Sequence, residues 1–202
     1  MDSDAAVKLH SMGTRPYELD EYDHAAKVQR IIGNNRLDRP VVLDGEIAVY
    51  PMVLTPEKTL HLWRQAIRHK SLFWNNAMRT AESFTQCLFD MSWLFFEVYK
   101  SGYLCGFVYF TDMIEFENVE IHAVFFDRKL TDKLTGLKLL VHWMFNNYPI
   151  ERIESPIAEP FFATQRFMQK AGFKYEGTRR KGAILHGQWV DQKLYSVIRE
   201  EV

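Results

Sequence analysis

Between Asn118 and Phe126 the segment NVEIHAVFF alternates with a period of two, which sets Glu120 and His122 on one face and Val119, Ile121, Ala123 and Phe125 on the other. A carboxylate and an imidazole side by side on a strand can move a proton to or from a bound molecule, since an imidazole of ordinary pKa, roughly 6.5, titrates near neutrality. The same pair also serves as a self-satisfied structural couple, and the pattern alone leaves both roles open. Glu115 and Glu117, at the entrance of this strand, read as solvated. Next comes DRKLTDK, residues 127–133, where Arg128, Lys129 and Lys133 outnumber two acids at the start of an amphipathic segment. A helix N-terminus flanked by cations suits an anion. Further on, Arg166 to Lys181 holds six Lys and Arg against the single acid Glu176. That strip could hold a phosphate, an acidic partner or a nucleic-acid backbone, or be a solvated basic edge.

Other chemistries lack their patterns. His61, His69, His142 and His186 show no metal spacing such as HExxH, and no GxSxG elbow occurs. Cys87 and Cys105 sit in apolar surroundings without a CxxC, which argues against zinc and against a disulfide framework.

The elements that must position these groups follow from the texture of the chain. Residues 1–44 form a polar N-terminal arm of a short helix, Glu18 to Ile32, plus loop; residues 45–202 form the main domain. A strand runs from Glu46 to Met52. Thr55-Pro56-Glu57 then opens a helix to about His69, with Thr as N-cap and Pro in the first turn. Trp74 to Leu88 reads as a second helix. Ser92 to Lys100, the turn Ser101-Gly102, Tyr103 to Phe110 and Asn118 to Phe126 make an antiparallel meander. A long helix from Thr131 to Asn147 buries Leu134, Leu137, Leu140, Val141 and Met144. It is followed by a strand from Arg152 to Ala158, a helix from Pro160 to Ala171 stopped by Gly172, and strands Phe173 to Lys181 and Gln188 to Arg199. The fold class is mixed α/β (α+β): a mostly antiparallel sheet flanked by helices, with one right-handed parallel strand-helix-strand crossover.

With 25 Lys plus Arg against 26 Asp plus Glu, the 202-residue chain has a net charge of −1, so no global field steers it to nucleic acid or anionic lipid. Its longest uncharged stretches, Ser101 to Thr111 and Leu139 to Ile150, are shorter than the roughly 20 residues of a membrane span. The first fifteen residues carry Asp2, Asp4, Lys8 and Arg15 and no signal-peptide pattern, so the expectation is a cytoplasmic protein with no membrane partner.

Ala171 to Glu201 adds a more specific signal. Gly172-Phe173, Glu176-Gly177, Arg179 with Arg180, Gly187, Trp189, Asp191 and Leu194-Tyr195-Ser196 stand in the order found at the C-terminal end of one protein family. The stretch resembles the GNAT superfamily of acyl-CoA-dependent N-acyltransferases, in particular the branch acting on ribosomal proteins and protein N-termini. With the upstream order of elements, the resemblance covers about three quarters of the chain and leaves out the first 44 residues. In this register Trp189 and Tyr195 read as core or sheet-face residues.

The resemblance implies transfer of an acetyl group from acetyl-CoA, as co-substrate, to a primary amine on a protein or small molecule, directly and without an acyl-enzyme. It implies that CoA lies where the strands at Asn118 and Arg152 splay apart, with its pyrophosphate at an R/Q-x-x-G-x-G/A loop. Aligned on Leu139-Leu140, that loop places Thr131, Leu134 and Gly136 at the signature positions, so one glycine of the pattern is present. Arg128, Lys129 and Lys133 would offset Asp132 there, and Phe126 would line the entrance. The family's Asn and Tyr on the next helix are replaced by Phe161 and Met168, which leaves Thr164 as a hydroxyl donor toward the departing thiolate. Glu120 is the first choice for the base and His122 the second. The competing expectation is a non-catalytic structural or assembly protein on the same fold, such as a phage virion component, oligomerising through the N-terminal arm.

Overall fold

The computed structural model describes residues 39–68, 80–114, 117–126 and 133–202. Eight strands form one sheet: β1 (Val42–Asp44), β2 (Ile47–Pro51), β3 (Ser92–Lys100), β4 (Tyr103–Thr111), β5 (Asn118–Phe125), β6 (Arg152–Ala158), β7 (Lys174–Leu185) and β8 (Gln188–Ile198). Among the described residues four helices flank it: α1 (Pro56–Ala66), α2 (Ala81–Met91), α3 (Lys133–Asn147) and α4 (Phe162–Lys170). The strand order is β1-β2-β3-β4-β5-β6-β8-β7, antiparallel except for the parallel pair β5–β6 joined through α3.

The local chemistry explains these elements. Thr55 caps α1, its hydroxyl accepting from the Lys58 amide at 3.3 Å, and Pro56 needs no partner for a missing N–H. Ser101 and Gly102 both adopt positive φ, 48° and 80°, the geometry a two-residue hairpin needs. Gly172 takes φ 105° after α4, and Phe173 packs back with only 2% of its surface exposed.

Alternation in β3, β4 and β5 divides the sheet into two buried faces. Leu94, Phe96, Val98, Val108, Phe110, Val119 and Ile121 join Leu137, Leu140, Val141 and Met144 of α3 and Met168 of α4 in one core. Phe95, Phe107 and Tyr109 join Leu62 of α1 and Phe84 and Leu88 of α2 in the other. Arg199, just past β8, fastens the C-terminal end of α3, donating to the carbonyls of Phe145, Tyr148 and Ile150 at 2.6, 2.7 and 2.6 Å.

Several expected boundaries move. Val42–Asp44, assigned to the arm, pairs with β2 as an edge strand. Helix α1 ends at Ala66, and α2 runs past Leu88 to Met91, while residues 69–79 and the helix expected at Glu18 to Ile32 lie outside the described residues. β7 continues to Leu185, beyond Lys181. Trp189 is 62% exposed near the tip of the β7–β8 hairpin, in contrast to Tyr195, which is 5% exposed. β8 outruns β6, so only β7 flanks Trp189. Among the described residues no helix is long and apolar enough to cross a membrane.

Candidate active site

The parallel pair β5–β6 is zipped over three positions, Asn118↔Arg152, Val119↔Ile153 and Glu120↔Glu154. Beyond Glu120 the two strands part: β5 stays paired with β4 as far as Phe125, and β6 stays paired with β8 as far as Ala158. The result is a V with Glu120 at its apex. The Phe126 amide donates to the Cys105 carbonyl, so by antiparallel alternation the even residues of β5 turn their backbone to β4. Ile121, Ala123 and Phe125 therefore turn theirs into the gap. On the other side the Glu159 amide donates to the Asp191 carbonyl, which by the same alternation turns Pro156 toward the gap. Proline in a central strand removes a ladder donor, and here it falls where no neighbouring strand needs one.

Gly106 of β4 shapes the same wall. A Cβ there would stand 2.2 Å from the Val124 carbonyl oxygen and 2.9 Å from the Phe125 ring, so only glycine lets β5 lie this close.

Glu120 and His122 do come together, on the face away from α3 and α4. Glu120 Oε2 is 3.7 Å from His122 Nε2, which also hydrogen-bonds the Thr111 hydroxyl at 3.0 Å, and the imidazole stacks on Tyr109 with centroids 4.7 Å apart. Burial pushes His122 down to about 4, against the opposing pull of Asp112. It is neutral at pH 7 and a weak base, not the near-neutral group its sequence suggests. Burial raises Glu120 above the ordinary carboxylate range, helped by Asp112 and Glu154 and opposed by Arg179. A carboxylate of raised proton affinity is suited to take a proton from an ammonium near neutral pH.

Among the described residues, the other expected ones are not gathered at this point. Arg128, Lys129 and Thr131 lie outside the described residues. Lys133 stands at the start of α3, its Nζ 5.6 Å from the Phe167 ring centroid. Leu134 packs on the core under α3. Gly136 is buried, and a Cβ on it would meet Ile47 at 3.2 Å, so this glycine lets α3 lie against the sheet. Thr164 is exposed on α4, whose buried face joins the opposite core, so it does not share the face of Glu120. Phe161 and Met168 also belong to that core, and Phe126 packs with the rings beside Phe107 at 5.9 Å.

Residues around Glu120 that sequence reasoning passed over include Tyr109, Thr111, Arg152 and Glu154. Arg152 and Glu154 alternate on β6 as Glu120 and His122 do on β5, and Pro156 within that strand was the available sign that its pairing stops. Among the described residues no group of His, Cys, Asp or Glu could hold a metal ion.

A family model described as an acetyltransferase (GNAT) domain matches residues 57–194. The chain belongs to the GNAT acetyltransferase family. Solved GNAT structures share its fold: a RimL ribosomal-protein alpha-N-acetyltransferase in complex with coenzyme A superposes with a TM-score of 0.67 at 12% identity, covering 81% of this chain and 100% of that one. The ribosomal-protein-S5-alanine acetyltransferase of Vibrio fischeri gives 0.63 at 18% identity over 79% of this chain and 97% of that one. The microcin C7 self-immunity acetyltransferase MccE, in complex with acetyl-CoA and AMP, gives 0.63 at 17% over 77% and 93%. The probable N-acetyltransferase YjcK of Bacillus subtilis (strain 168) is 28% identical over 66 residues, a match spanning 33% of this GNAT chain and 36% of that protein.

Proposed function

We propose that this protein is a cytoplasmic N-acetyltransferase that moves an acetyl group from acetyl-CoA to a primary amine in one step. The observation that carries this reading is the V between β5 and β6, which opens at the partly buried carboxylate of Glu120 in a chain of GNAT fold. The open backbone edge at Ile121, Ala123 and Phe125 fits a pantetheine arm, whose amides can take the place of a missing strand. Acetyl-CoA supplies the activated thioester. Glu120 takes the proton that the amine loses as the C–N bond forms and the C–S bond breaks, directly or through a water. His122 holds the Thr111 side of the site and, being neutral, does not compete for that proton. Lys133, with Arg128, Lys129 and Thr131 close before it in sequence, is assigned to the phosphates, and Thr164, exposed on α4, is not assigned to the leaving sulfur at Glu120. Leu134 and Gly136 pack the first turns of α3 on the sheet and so set where the start of that helix stands.

The acceptor belongs to the primary amines of proteins or small molecules. The test is calorimetric titration with acetyl-CoA, followed by release of free CoA thiol in the presence of short peptides with a free α-amine or of spermidine. Binding at micromolar concentration and amine-dependent thiol release are expected. No binding at millimolar acetyl-CoA would sink the reading.

A further inference from the structure

The register that opens the V also creates an electrostatic problem at its apex. Glu120 and Glu154 are directly paired across parallel strands, so both carboxylates stand on the same sheet face as neighbours. Like charges placed opposite each other are unfavourable, and the charge of Glu154 is one of the causes that raise the proton affinity of Glu120.

Arg152 lies two residues before Glu154 on the same face. Its Nε donates to Glu154 Oε1 at 2.6 Å, and its Nη2 reaches across β8 to the carboxylate of Glu176. Glu176 is the extra residue of a bulge in β7, where Tyr175 and Gly177 oppose the consecutive residues Tyr195 and Leu194. Bulges redirect side chains, and this one brings the carboxylate to Ser196, whose hydroxyl donates to it at 2.6 Å. The guanidinium is thus shared between Glu154 and Glu176. Among the described residues no Lys or Arg forms an ion pair with Glu120. The charged groups that act on Glu120 are Asp112 beyond β4, Glu154 on β6 and Arg179 on β7, with neutral His122 on its own strand, while Arg152 is paired with Glu154.

We infer that Arg152 is a positioning residue for the catalytic carboxylate: by holding Glu154 and tying it to Glu176, it separates the two facing carboxylates into a compensated one and a proton acceptor. This rests on the reading of Glu120 as the base. Arg152 touches neither the amine nor the thioester. It pairs with one of two neighbouring carboxyl groups and leaves the other without a cation of its own.

The test uses the full-length protein and reads Glu120 directly, by NMR titration of side chains carrying a ¹³C-labelled glutamate carboxyl, with Glu120→Gln to assign the signal. Removing the cation in Arg152→Gln leaves Glu154 uncompensated and moves the Glu120 midpoint up by about one pH unit. Glu154→Gln removes the opposing charge and moves it down, and the double variant returns it close to the starting value. Should Arg152→Gln fail to fold, Arg152→Met, which keeps the stem without the cation, is read in its place. An unmoved Glu120 midpoint in folded Arg152→Gln and in Glu154→Gln overturns the inference, while loss of activity in Glu120→Gln would still uphold the base. If the midpoint moves but the acidic limb of the kcat/KM profile does not follow, Glu120 is not the base, and the assignment of Arg152 to catalysis falls with it. A purely structural Arg152 would lower the melting temperature and leave both titrations where they are.

Discussion

One face of the sheet is built in two different ways on the two sides of β5. Toward β3 and β4 it is a column of rings: Phe95 on Phe107 at 5.1 Å, Phe95 on Tyr109 at 5.7 Å and Tyr109 on His122 at 4.7 Å, covered by α1 and α2. Toward β6, β8 and β7 it is a row of polar side chains, Arg152, Glu154, Ser196 and Glu176, with Arg179 on Gln192 at 3.1 Å farther out. Shape holds the first half and charge pairing holds the second. Glu120 stands on the seam: it is desolvated beside the aromatic half without being neutralised by the polar half. A carboxylate in that position keeps a high affinity for a proton.

The largest effect should come from the seam itself. Glu120→Gln keeps size and hydrogen bonding but cannot accept a proton, so kcat should fall by roughly 10²- to 10⁴-fold with acetyl-CoA affinity little changed. Full activity would remove Glu120 from the chemistry. On the aromatic side Phe107, 1% exposed and in ring contact with Phe84, Phe95, Tyr109 and Phe126, should cost about 4 kcal/mol when truncated to Ala. A loss below about 1 kcal/mol by urea denaturation would show that the column is not what holds this half.

Much of this framework was legible in the sequence, because the signals were local. The meander, the Thr55-Pro56 helix start and the limits of β6 rest on period, caps and turn residues within a few positions. Pairing of Glu120 with His122 was legible for the same reason, being a matter of i and i+2 on one strand. What surrounds them was not. Thr111 and Tyr109 reach His122 through the β4–β5 register, and Arg152 meets Glu176 24 positions away only because a bulge turns that carboxylate inward. The titration of His122 could not be read from its residue type either, since burial beside a ring column decides it. Gly136 carries a second constraint that its spacing did not announce: a Cβ there would meet Ile47 at 3.2 Å, so the residue also sets how closely α3 lies on the sheet.

His122 supplies a sharper comparison by pH. Its folded value of about 4 lies below the unfolded 6.5, so between those values the unfolded chain binds a proton that the folded one does not. Stability therefore falls as pH is lowered through that window. Glu120, raised in the fold, works in the opposite sense, gaining stability as pH falls toward the ordinary carboxylate range. Subtracting a His122→Asn variant isolates the imidazole: the difference in unfolding free energy should change by on the order of 3 kcal/mol between pH 7 and pH 4. A parallel pair of stability curves would mean that His122 is protonated in the fold, and hence that the aromatic half does not reach as far as the seam.

The polar half should respond more weakly and in the same direction, losing its contribution in acid. Ser196 is 2% exposed, and its hydroxyl, first among the causes, holds Glu176 below the ordinary carboxylate range. Because the Glu176 side chain is 35% exposed, solvent screens the interaction, and Ser196→Ala should cost only about 1 kcal/mol at pH 7. The contribution of a depressed carboxyl is present above its unfolded pKa and is lost as pH falls through the folded one, so the penalty should shrink toward zero in acid. Phe107→Ala should show no such decline. If the Ser196→Ala penalty were as large in acid as at pH 7, the hydroxyl would be acting through packing, and the two halves of the face would not differ in what holds them.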